Sequence, residues 1–485
     1  MKKRFFCRIV GLLLTLLLLL GILSFLNRLT YRKSFPNCYD EFFPSSDQYD
    51  VLFLGNSHIW NGVFPLELWG RCGITSYNLG NAGAQTGSLY WLARCALEHS
   101  TPRVIVFDCH NINSDSRVYL PFFHNALAAF PFSLNKIRAA YDLCPPGVFS
   151  PDDRLSLIFG FSAYHNRWSE LSVDDFSWKE PAFFGARPLI RLDTSAPPFA
   201  TEAALVPSGP NTVYLRRLAE DCKARNIRLI LTTLPFSATE QDAEIANGLQ
   251  TIAAELGVDY LNLLQMDLVD FQTDFADRDS HCNISGACKL SEFFADYLSK
   301  TCNLPDHRGD PDYDYWDSAY ASWLETMDSE LETQNFLFYS LMLLRHSRYS
   351  PIVYISPCSD LFDDPMTLPY LRSMCGEAEL PGFDRASSTK GSYLVFFDRS
   401  ANKAYEAVDI SRISGTPYGD ICVEPSRGLA SIGGRECQLS AVTPDATESE
   451  AMCFVFSSDL QPLSACSHAF APGELNQYYR TDYAD

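Results

Sequence analysis

One long apolar run near the N-terminus constrains this chain most. The segment Ile9–Leu26 is an almost unbroken series of 18 apolar or small residues, and four basic side chains lie among the first eight residues. A helix rises 1.5 Å per residue, so a run of this length crosses most of the hydrocarbon core of a bilayer. The run therefore predicts one membrane-spanning helix, with residues 1–33 forming a short cytoplasmic tip and the anchor.

The residues that follow the run favour an anchor that stays attached. The segment Asn27–Arg32 contains no small-x-small motif for a signal peptidase, although a cleaved signal peptide remains the alternative. The excess of basic residues before the run places the N-terminus in the cytoplasm and the bulk of the chain outside it. We expect a single-pass protein of the cell membrane, because no later stretch approaches 18 consecutive apolar residues.

Composition excludes one large class of partners and predicts several folded domains. The 485 residues include 38 Lys plus Arg and 59 Asp plus Glu, a formal net charge of −21, which argues against nucleic acid. Hydrophobic residues make up 47% of the chain and charged residues only 20%, so sizeable cores can form.

Short apolar runs alternate with amphipathic stretches between residues 45 and 303. Buried strands are predicted at Val51–Leu54, Val104–Phe107 and Arg228–Leu234, with helices near 86–98 and 214–222. This alternation is typical of an α/β domain with a parallel sheet. Residues 110–210, rich in aromatics and prolines, interrupt it and are predicted to be an insertion over the site.

The sequence pattern changes after residue 303. A helical connector is predicted at 304–348, with helices at about 315–330 and 332–346. Residues 349–485 contain short strands with frequent Gly, Ser and Pro and one helical span near 366–375. They predict a separate, smaller β-rich α+β domain.

A serine and a distant histidine carry the candidate chemistry. Ser57 follows the first predicted strand directly, where open α/β sheets place their ligands, and is a candidate nucleophile. His281 stands just before a predicted helix, and two carboxylates, Asp279 and Asp277, precede it by two and four positions. A hydroxyl, a base and an acid that orients the base are the parts that acyl transfer needs.

Residues after the predicted strands could complete this site. The backbone N–H groups of Ser57 and Gly83 and the side-chain amide of Asn111 are candidate donors to an oxyanion. Asn56 and His58 flank the serine and are predicted to contact substrate. Three further residues of the insertion, His165, Arg167 and Trp168, could also face substrate, but packing of the insertion is the preferred interpretation.

Three segments resemble the sequence blocks of SGNH/GDSL hydrolases. Gly55-Asn56-Ser57-His58 is similar to the first block, and Asn78-Leu79-Gly80-Asn81-Ala82-Gly83 to the second. Residues 279–287, Asp-Ser-His-Cys-Asn-Ile-Ser-Gly-Ala, resemble the last block, especially in the membrane-anchored extracytoplasmic branch related to teichoic-acid D-alanylation and alginate O-acetylation proteins. The resemblance implies a flavodoxin-like three-layer α/β/α fold, with Ser57 as nucleophile and His281 as base.

Two positions depart from that family pattern. The family usually has Asp three residues before the His, where this chain has Arg278, so the acid is Asp279 or, as an alternative, Asp277. The third block normally reads Gly-x-Asn-Asp, whereas residues 108–111 are Asp-Cys-His-Asn, with Asn111 as the candidate donor. Loss of activity is therefore the rival hypothesis: an SGNH-fold scaffold or glycan-binding protein in cell-envelope polysaccharide assembly.

The C-terminal domain resembles the interleukin-like EMT inducer (ILEI) domain. The order of its segments carries the resemblance: a strand at Tyr354–Ile355, a helix ending near Gly376, a Ser-Tyr strand at residues 392–393, a Ser-Ile strand at residues 431–432 and a final apolar strand from Cys453. The resemblance implies recognition rather than catalysis for this domain.

The interpretation is a membrane-anchored serine esterase or O-acyltransferase. The expected acceptor is water, a surface glycan or another acyl acceptor, and a transferase would need a multi-pass membrane acyltransferase as partner to deliver acyl groups. No cofactor is expected. No metal is expected either, because the 16 cysteines show no Cys-x-x-Cys pair and no zinc-site spacing with histidine. Most cysteines are interpreted as small buried hydrophobic residues, with a few disulfides.

Overall fold

The chain folds into two compact units in a computed structural model. The described residues are 2–30, 42–43, 45, 47–113, 120–127, 130–160, 165–172, 183–333, 337–376, 379–439 and 450–468. Unit 1 comprises residues 1–187, 198–268 and 291–316, and unit 2 comprises residues 188–197, 269–290 and 317–485. Residues 31–33 of the predicted anchor segment, parts of the predicted insertion and the C-terminal residues 469–485 lie outside the described residues.

Five strands of unit 1 form one sheet. They are β1 (Val51–Leu54), β2 (Ser76–Asn78), β3 (Val104–Asp108), β4 (Arg228–Thr233) and β5 (Asp259–Asn262). The helices described between residues 1 and 301 are α1 (Lys2–Thr30), α2 (Ser57–Gly62), α3 (Pro65–Cys72), α4 (Thr86–Ala96), α5 (Leu120–Leu127), α6 (Leu134–Leu143), α7 (Pro151–Ile158), α8 (Pro210–Ala224), α9 (Glu240–Leu256) and α10 (Ile284–Thr301). Short 3₁₀ turns lie at His165–Glu170, Leu263–Gln265 and Pro311–Tyr313.

The sheet order confirms the predicted fold class. The strands lie in the order β2-β1-β3-β4-β5, and every neighbouring pair is parallel. This is the flavodoxin-like doubly wound order, in which ligands bind outside the carboxyl ends of the strands. Strands β1 and β3 are buried at every residue, as central strands covered on both faces must be.

Local signals explain where the helices of unit 1 begin and end. Helix α9 begins at a capping box in which Thr239 and Asp242 satisfy each other's backbone N–H groups, and it ends at Gly257 in the left-handed conformation. Phe294 of α10 packs edge to face on Phe53 of β1, with ring centroids 5.4 Å apart. These caps and ring contacts fix the helices that surround the sheet.

Helix α1 contains the apolar run. Within it, the apolar segment Phe5–Leu26 spans 22 residues, and its most apolar 18-residue window has a mean hydropathy of 2.9 and is not buried against the protein. By length and composition this segment is sufficient to cross a membrane. At its C-terminal end Arg167 Nη1 donates to the Thr30 carbonyl at 3.1 Å.

The described part of the insertion packs through helices α5 to α7. His124 Nε2 lies 2.6 Å from Ser156 Oγ, and Trp91 Nε1 of α4 donates to Asp142 Oδ2 at 2.8 Å. Arg167 packs, as preferred, whereas Trp168 is 69% exposed. The packing interpretation therefore holds for Arg167 but is wrong for Trp168, whose ring points to solvent.

Unit 2 carries two antiparallel sheets. The first has the order β14-β13-β6-β7-β8, built from β6 (Tyr349–Ile355), β7 (Tyr393–Asp398), β8 (Lys403–Val408), β13 (Ala451–Ser457) and β14 (Pro462–His468). The second has the order β12-β11-β10-β9, built from β9 (Arg412–Thr416), β10 (Gly419–Glu424), β11 (Leu429–Ile432) and β12 (Arg435–Gln438).

Alternate residues of the two sheets form one apolar core. Phe396 of β7 and Phe454 of β13 meet Ile421 of β10 and Ile432 of β11 in this cluster, and all four are fully buried. Period-two alternation is what places every second side chain on the inner face. The predicted β-rich C-terminal region is confirmed, while its resemblance to the ILEI domain stays a prediction.

The helices of this region differ in number from the prediction. The connector helices are α11 (Asp314–Thr333) and α12 (Leu337–Leu344), close to their predicted positions. The single helical span expected near 366–375 is α13 (Thr367–Ser373), but α14 (Pro381–Thr389) follows it. Pro381 at the first helical position and Lys390 in the left-handed conformation at the end mark this extra helix.

Candidate active site

Ser57 is the first residue of helix α2, directly beyond the carboxyl end of β1. Asn56 caps this helix, because its Oδ1 accepts the His58 N–H at 2.9 Å. Gly55 permits the turn: a Cβ there would lie 2.3 Å from Ile59 Cγ1 and 2.9 Å from Asp108 Cβ. The predicted strand–turn context of the serine is thus present.

The Asn78 side chain links the loop after β2 to the helix that begins at Ser57 through hydrogen bonds. Its Nδ2 donates to the carbonyls of Ile59 and Val63, both at 2.7 Å, and its Oδ1 accepts the Gly80 N–H at 2.8 Å. A Cβ on Gly80 would lie 2.4 Å from the Trp60 backbone nitrogen. The first two motif loops therefore meet in a close backbone contact that only glycine allows.

Two predicted oxyanion donors lie in the following loops. Gly83 has a φ of +65°, and a Cβ there would meet the Phe122 ring at 2.3 Å. Asn111 Nδ2 donates to the Ala84 carbonyl at 2.8 Å, which uses one of its two amide hydrogens within the protein. The backbone N–H of Gly83 and the amide of Asn111 stay predicted oxyanion donors.

The buried carboxyl group of Asp108 ends β3, and no role was predicted for it from the sequence. The rings of His58 and His110 stack with centroids 4.2 Å apart, and Phe236 meets His110 edge to face at 4.3 Å. Asp108 is 3% exposed, and its Oδ1 accepts the Leu234 N–H at 3.4 Å. Burial raises the pKa of Asp108 to about 7, although backbone N–H groups oppose the shift.

In unit 2, His281 pairs with Asp277. His281 Nδ1 lies 2.8 Å from Asp277 Oδ2, and the His281 backbone N–H donates to Asp277 Oδ1 at 3.1 Å. Ser280, with a φ of +63°, turns the chain so that residue 281 folds back over residue 277. Burial disfavours the charged carboxylate, but hydrogen bonds from His281 outweigh it and lower the pKa of Asp277.

This contact favours Asp277 of the two candidate acids, and the role of either carboxylate stays a prediction. The sequence places Asp279 first, whereas the structure puts Asp277, the alternative, on the ring nitrogen of His281. The reason is the left-handed turn at Ser280, which the residue letters do not reveal. A carboxylate on Nδ1 fixes the tautomer that leaves Nε2 as the basic nitrogen.

The rest of the histidine motif shapes the backbone. Asn283 is fully buried, donates to the Thr273 carbonyl at 2.9 Å and accepts the Ser285 and Gly286 N–H groups at 3.0 and 3.1 Å. A Cβ on Gly286 would lie 2.4 Å from the Asp274 carbonyl oxygen. These two residues start helix α10 and hold the loop that presents His281.

The predicted site residues fall into two groups. Within unit 1, the loops after β1, β2 and β3 hold Ser57, Gly83 and Asn111, with Asn56 and His58 largely buried beside the serine. Within unit 2, one turn holds His281 and Asp277. The substrate contacts assigned to Asn56 and His58 stay predictions, since a helix cap and a ring stack account for their burial.

Comparison with known proteins gives only distant structural similarities. No protein-family model and no curated protein matches the chain. Among solved structures, it is similar to a candidate acylhydrolase from Bacteroides fragilis, with 13% identity, a TM-score of 0.30 and coverage of 54% of this chain and 95% of that one. A candidate lipolytic protein of the G-D-S-L family from Desulfitobacterium hafniense gives 12% identity, a TM-score of 0.29 and coverage of 51% and 98%. A GDSL-like lipase from Bacteroides thetaiotaomicron gives 12% identity, a TM-score of 0.25 and coverage of 54% and 98%.

Proposed function

We propose that this chain is a serine-dependent ester hydrolase or O-acyltransferase. The observation that carries the proposal is the Asp277–His281 pair, in which a carboxylate holds one ring nitrogen at 2.8 Å. This is the arrangement that prepares an imidazole to act as a general base. Ser57, at the carboxyl end of a parallel strand and the start of a helix, is the nucleophile that we assign to this base.

The proposed reaction has two acyl transfers. Ser57 Oγ attacks the carbonyl carbon of an ester while His281 Nε2 takes the hydroxyl proton, and backbone N–H groups near Ser57 and Gly83 stabilise the negative oxygen. His281 then gives the proton to the leaving alcohol, which leaves an acyl-serine. Water or a sugar hydroxyl attacks this ester next, His281 again accepting and returning the proton. Asp277 stabilises the imidazolium that forms in each step.

The cellular setting is also proposed. Helix α1, with an apolar segment of 22 residues, supports attachment to a membrane. We assign the remaining chain to the outer side, with a surface glycan or another acyl acceptor as substrate. A transferase would receive its acyl groups through a multi-pass membrane acyltransferase, and co-purification from membranes tests for this partner.

Hydrolysis of p-nitrophenyl acetate by the full chain in a nonionic detergent tests the chemistry. We expect Ser57→Ala and His281→Ala to lose essentially all activity and Asp277→Asn to lose about 10²- to 10⁴-fold in kcat, because the wrong ring tautomer becomes available. Asp279→Asn is the matched control and should stay within about threefold of the parent, since its side chain is not assigned to the ring.

Two outcomes would contradict the assignment. If Asp279→Asn were impaired and Asp277→Asn were not, the acid would be the residue that the sequence ranks first. If all variants and the parent hydrolysed the ester at equal rates while remaining folded, the rival role as a scaffold or glycan-binding protein would replace the enzyme. Adding a soluble oligosaccharide and searching for its acetyl ester by mass spectrometry separates transferase from esterase.

A further inference from the structure

Strand pairing in unit 2 brings together two cysteines that are thirteen positions apart in the sequence and a histidine close to the second of them. Cys453 of β13 lies directly opposite Cys466 of β14 in the antiparallel ladder. His468 follows Cys466 by two positions on the same strand, so both side chains point to the same face of the sheet. Sγ of each cysteine and a ring nitrogen of the histidine all lie within 4.8 Å of one another.

This group occupies the face of the sheet that is turned away from the sandwich core. Met452 and Phe454, the neighbours of Cys453 along β13, point into the core between the two sheets. Cys453 therefore points to the opposite face, where Ser340 Oγ of helix α12 lies 3.9 Å from Cys466 Sγ. Cys453 is fully buried and His468 is 1% exposed, so water has little access to two of the three groups.

The geometry points to a zinc site formed by Cys453, Cys466 and His468. In tetrahedral zinc sites, Zn–S bonds of about 2.3 Å and Zn–N bonds of about 2.0–2.1 Å place ligand atoms about 3.5–3.8 Å apart. Cys466 Sγ and His468 Nε2 are 3.3 Å apart, close to one such edge. The other two edges are at most 4.8 Å long, about 1 Å more than in a loaded site.

Charge balance favours a divalent ion in this setting. Two thiolates and a neutral imidazole carry a formal charge of −2, which one Zn²⁺ neutralises, so the loaded site buries no net charge. Ser340 Oγ stands beside the triangle and could supply the fourth position, directly or through a water molecule. The soft sulfur ligands exclude calcium and magnesium, which take oxygen ligands.

Another buried cysteine of unit 2 shows what an ordinary thiol looks like here. Cys375 is 3% exposed, and its Sγ approaches the side-chain oxygen of Asn402 at 3.7 Å. It is not among the described groups of residues that could hold a metal ion. Cys375→Ser is therefore a matched control, because it removes a buried thiol from the same unit and leaves the proposed ligands in place.

The test is the zinc content of the purified full chain. After incubation with zinc and removal of unbound metal, mass spectrometry of the element should give one more zinc per chain in the parent and in Cys375→Ser than in Cys453→Ser or His468→Gln. We expect the zinc occupancy of this site to fall at least tenfold in both ligand variants. Equal zinc content in all four proteins would overturn the proposal.

Two measurements on the parent keep the test decisive if a ligand variant does not fold. Replacing zinc with Co²⁺ should produce thiolate-to-cobalt charge-transfer absorption, which competes away when zinc is added back. Absence of this absorption would contradict the proposal. Peptide mapping without reduction gives the second test, since a Cys453–Cys466 disulfide in protein purified with zinc present would mean that the pair is a cross-strand bridge and not a metal site.

Discussion

Asp108 should make the stability of unit 1 fall as the pH rises, and Asp108→Asn should remove that effect. The carboxyl group is 3% exposed, and burial raises its pKa from 3.8 to about 7 in the folded protein. Between these two values the folded state holds a proton that the unfolded state has released. Stability therefore decreases as the pH rises through this range, and the loss is complete above the folded-state pKa.

The size of the effect follows from the difference between the two pKa values. Each pH unit corresponds to about 1.4 kcal/mol, so a rise from 3.8 to about 7 gives an upper bound of about 4 kcal/mol. Asparagine keeps the shape of the side chain and the oxygen that accepts the Leu234 N–H, but it has no charge to bury. The free energy of unfolding of the variant, relative to that of the parent, should therefore rise by between about 1 and 4 kcal/mol from pH 4 to pH 8.

Urea unfolding followed by tryptophan fluorescence measures this difference. Six of the seven tryptophans lie in the residue ranges of unit 1 and only Trp323 lies in unit 2, so the signal reports mainly on unit 1. Parent and Asp108→Asn are compared at each pH in the same detergent, which cancels the titration of all other groups. A difference between the two proteins that stays constant within about 0.5 kcal/mol from pH 4 to pH 8 would refute the raised pKa.

Two further substitutions test how the loops are held. Arg345 Nη1 and Asp274 Oδ1 form a buried ion pair at 2.7 Å in unit 2. Arg345→Met should destabilise that unit by about 3 kcal/mol, because the buried Asp274 carboxylate then keeps only Lys289 as an ion-pair partner. Hydrogen exchange in β6 measures the loss, which adding Asp274→Asn should partly reverse; a loss below about 0.5 kcal/mol would show that the pair contributes little. Gly80→Ala should lower esterase activity at least tenfold by pushing the loop after β2 away from Trp60 N, which a Cβ would approach to 2.4 Å, and unchanged activity would show that the loop yields without cost.

The sequence predicted the parts of the fold that depend on short apolar runs. Strands β1, β3 and β4 appear within one residue of their predicted ends because central parallel strands are apolar along their whole length. Strand β5 was not predicted, since Asp259–Asn262 is a partly buried edge strand whose residues alternate too briefly to form a pattern. The extra helix α14 was missed although Pro381 marks its start.

Parts of the candidate site could not be predicted from the sequence alone. The spacing of Asp277 and Asp279 before His281 did not decide between them, because the choice depends on one positive φ at Ser280. The group at Cys453 was also beyond reach: its partner is thirteen positions further on, and only the register of β13 against β14 brings the sulfurs together. Asp108 could have been recognised from the sequence as a buried carboxylate, because it ends an otherwise apolar strand.

Several residues of the motifs are required by the backbone rather than by the reaction. Asn78 and Asn283 satisfy buried loop carbonyls and N–H groups, and Gly80 and Gly286 lie where a methyl group would meet main-chain atoms. A related chain without the proposed chemistry would still need these four residues in order to fold. Searches that score whole motif blocks will therefore also retrieve chains that lack the chemistry. The positions that separate such chains from enzymes are the few side chains that the backbone does not require.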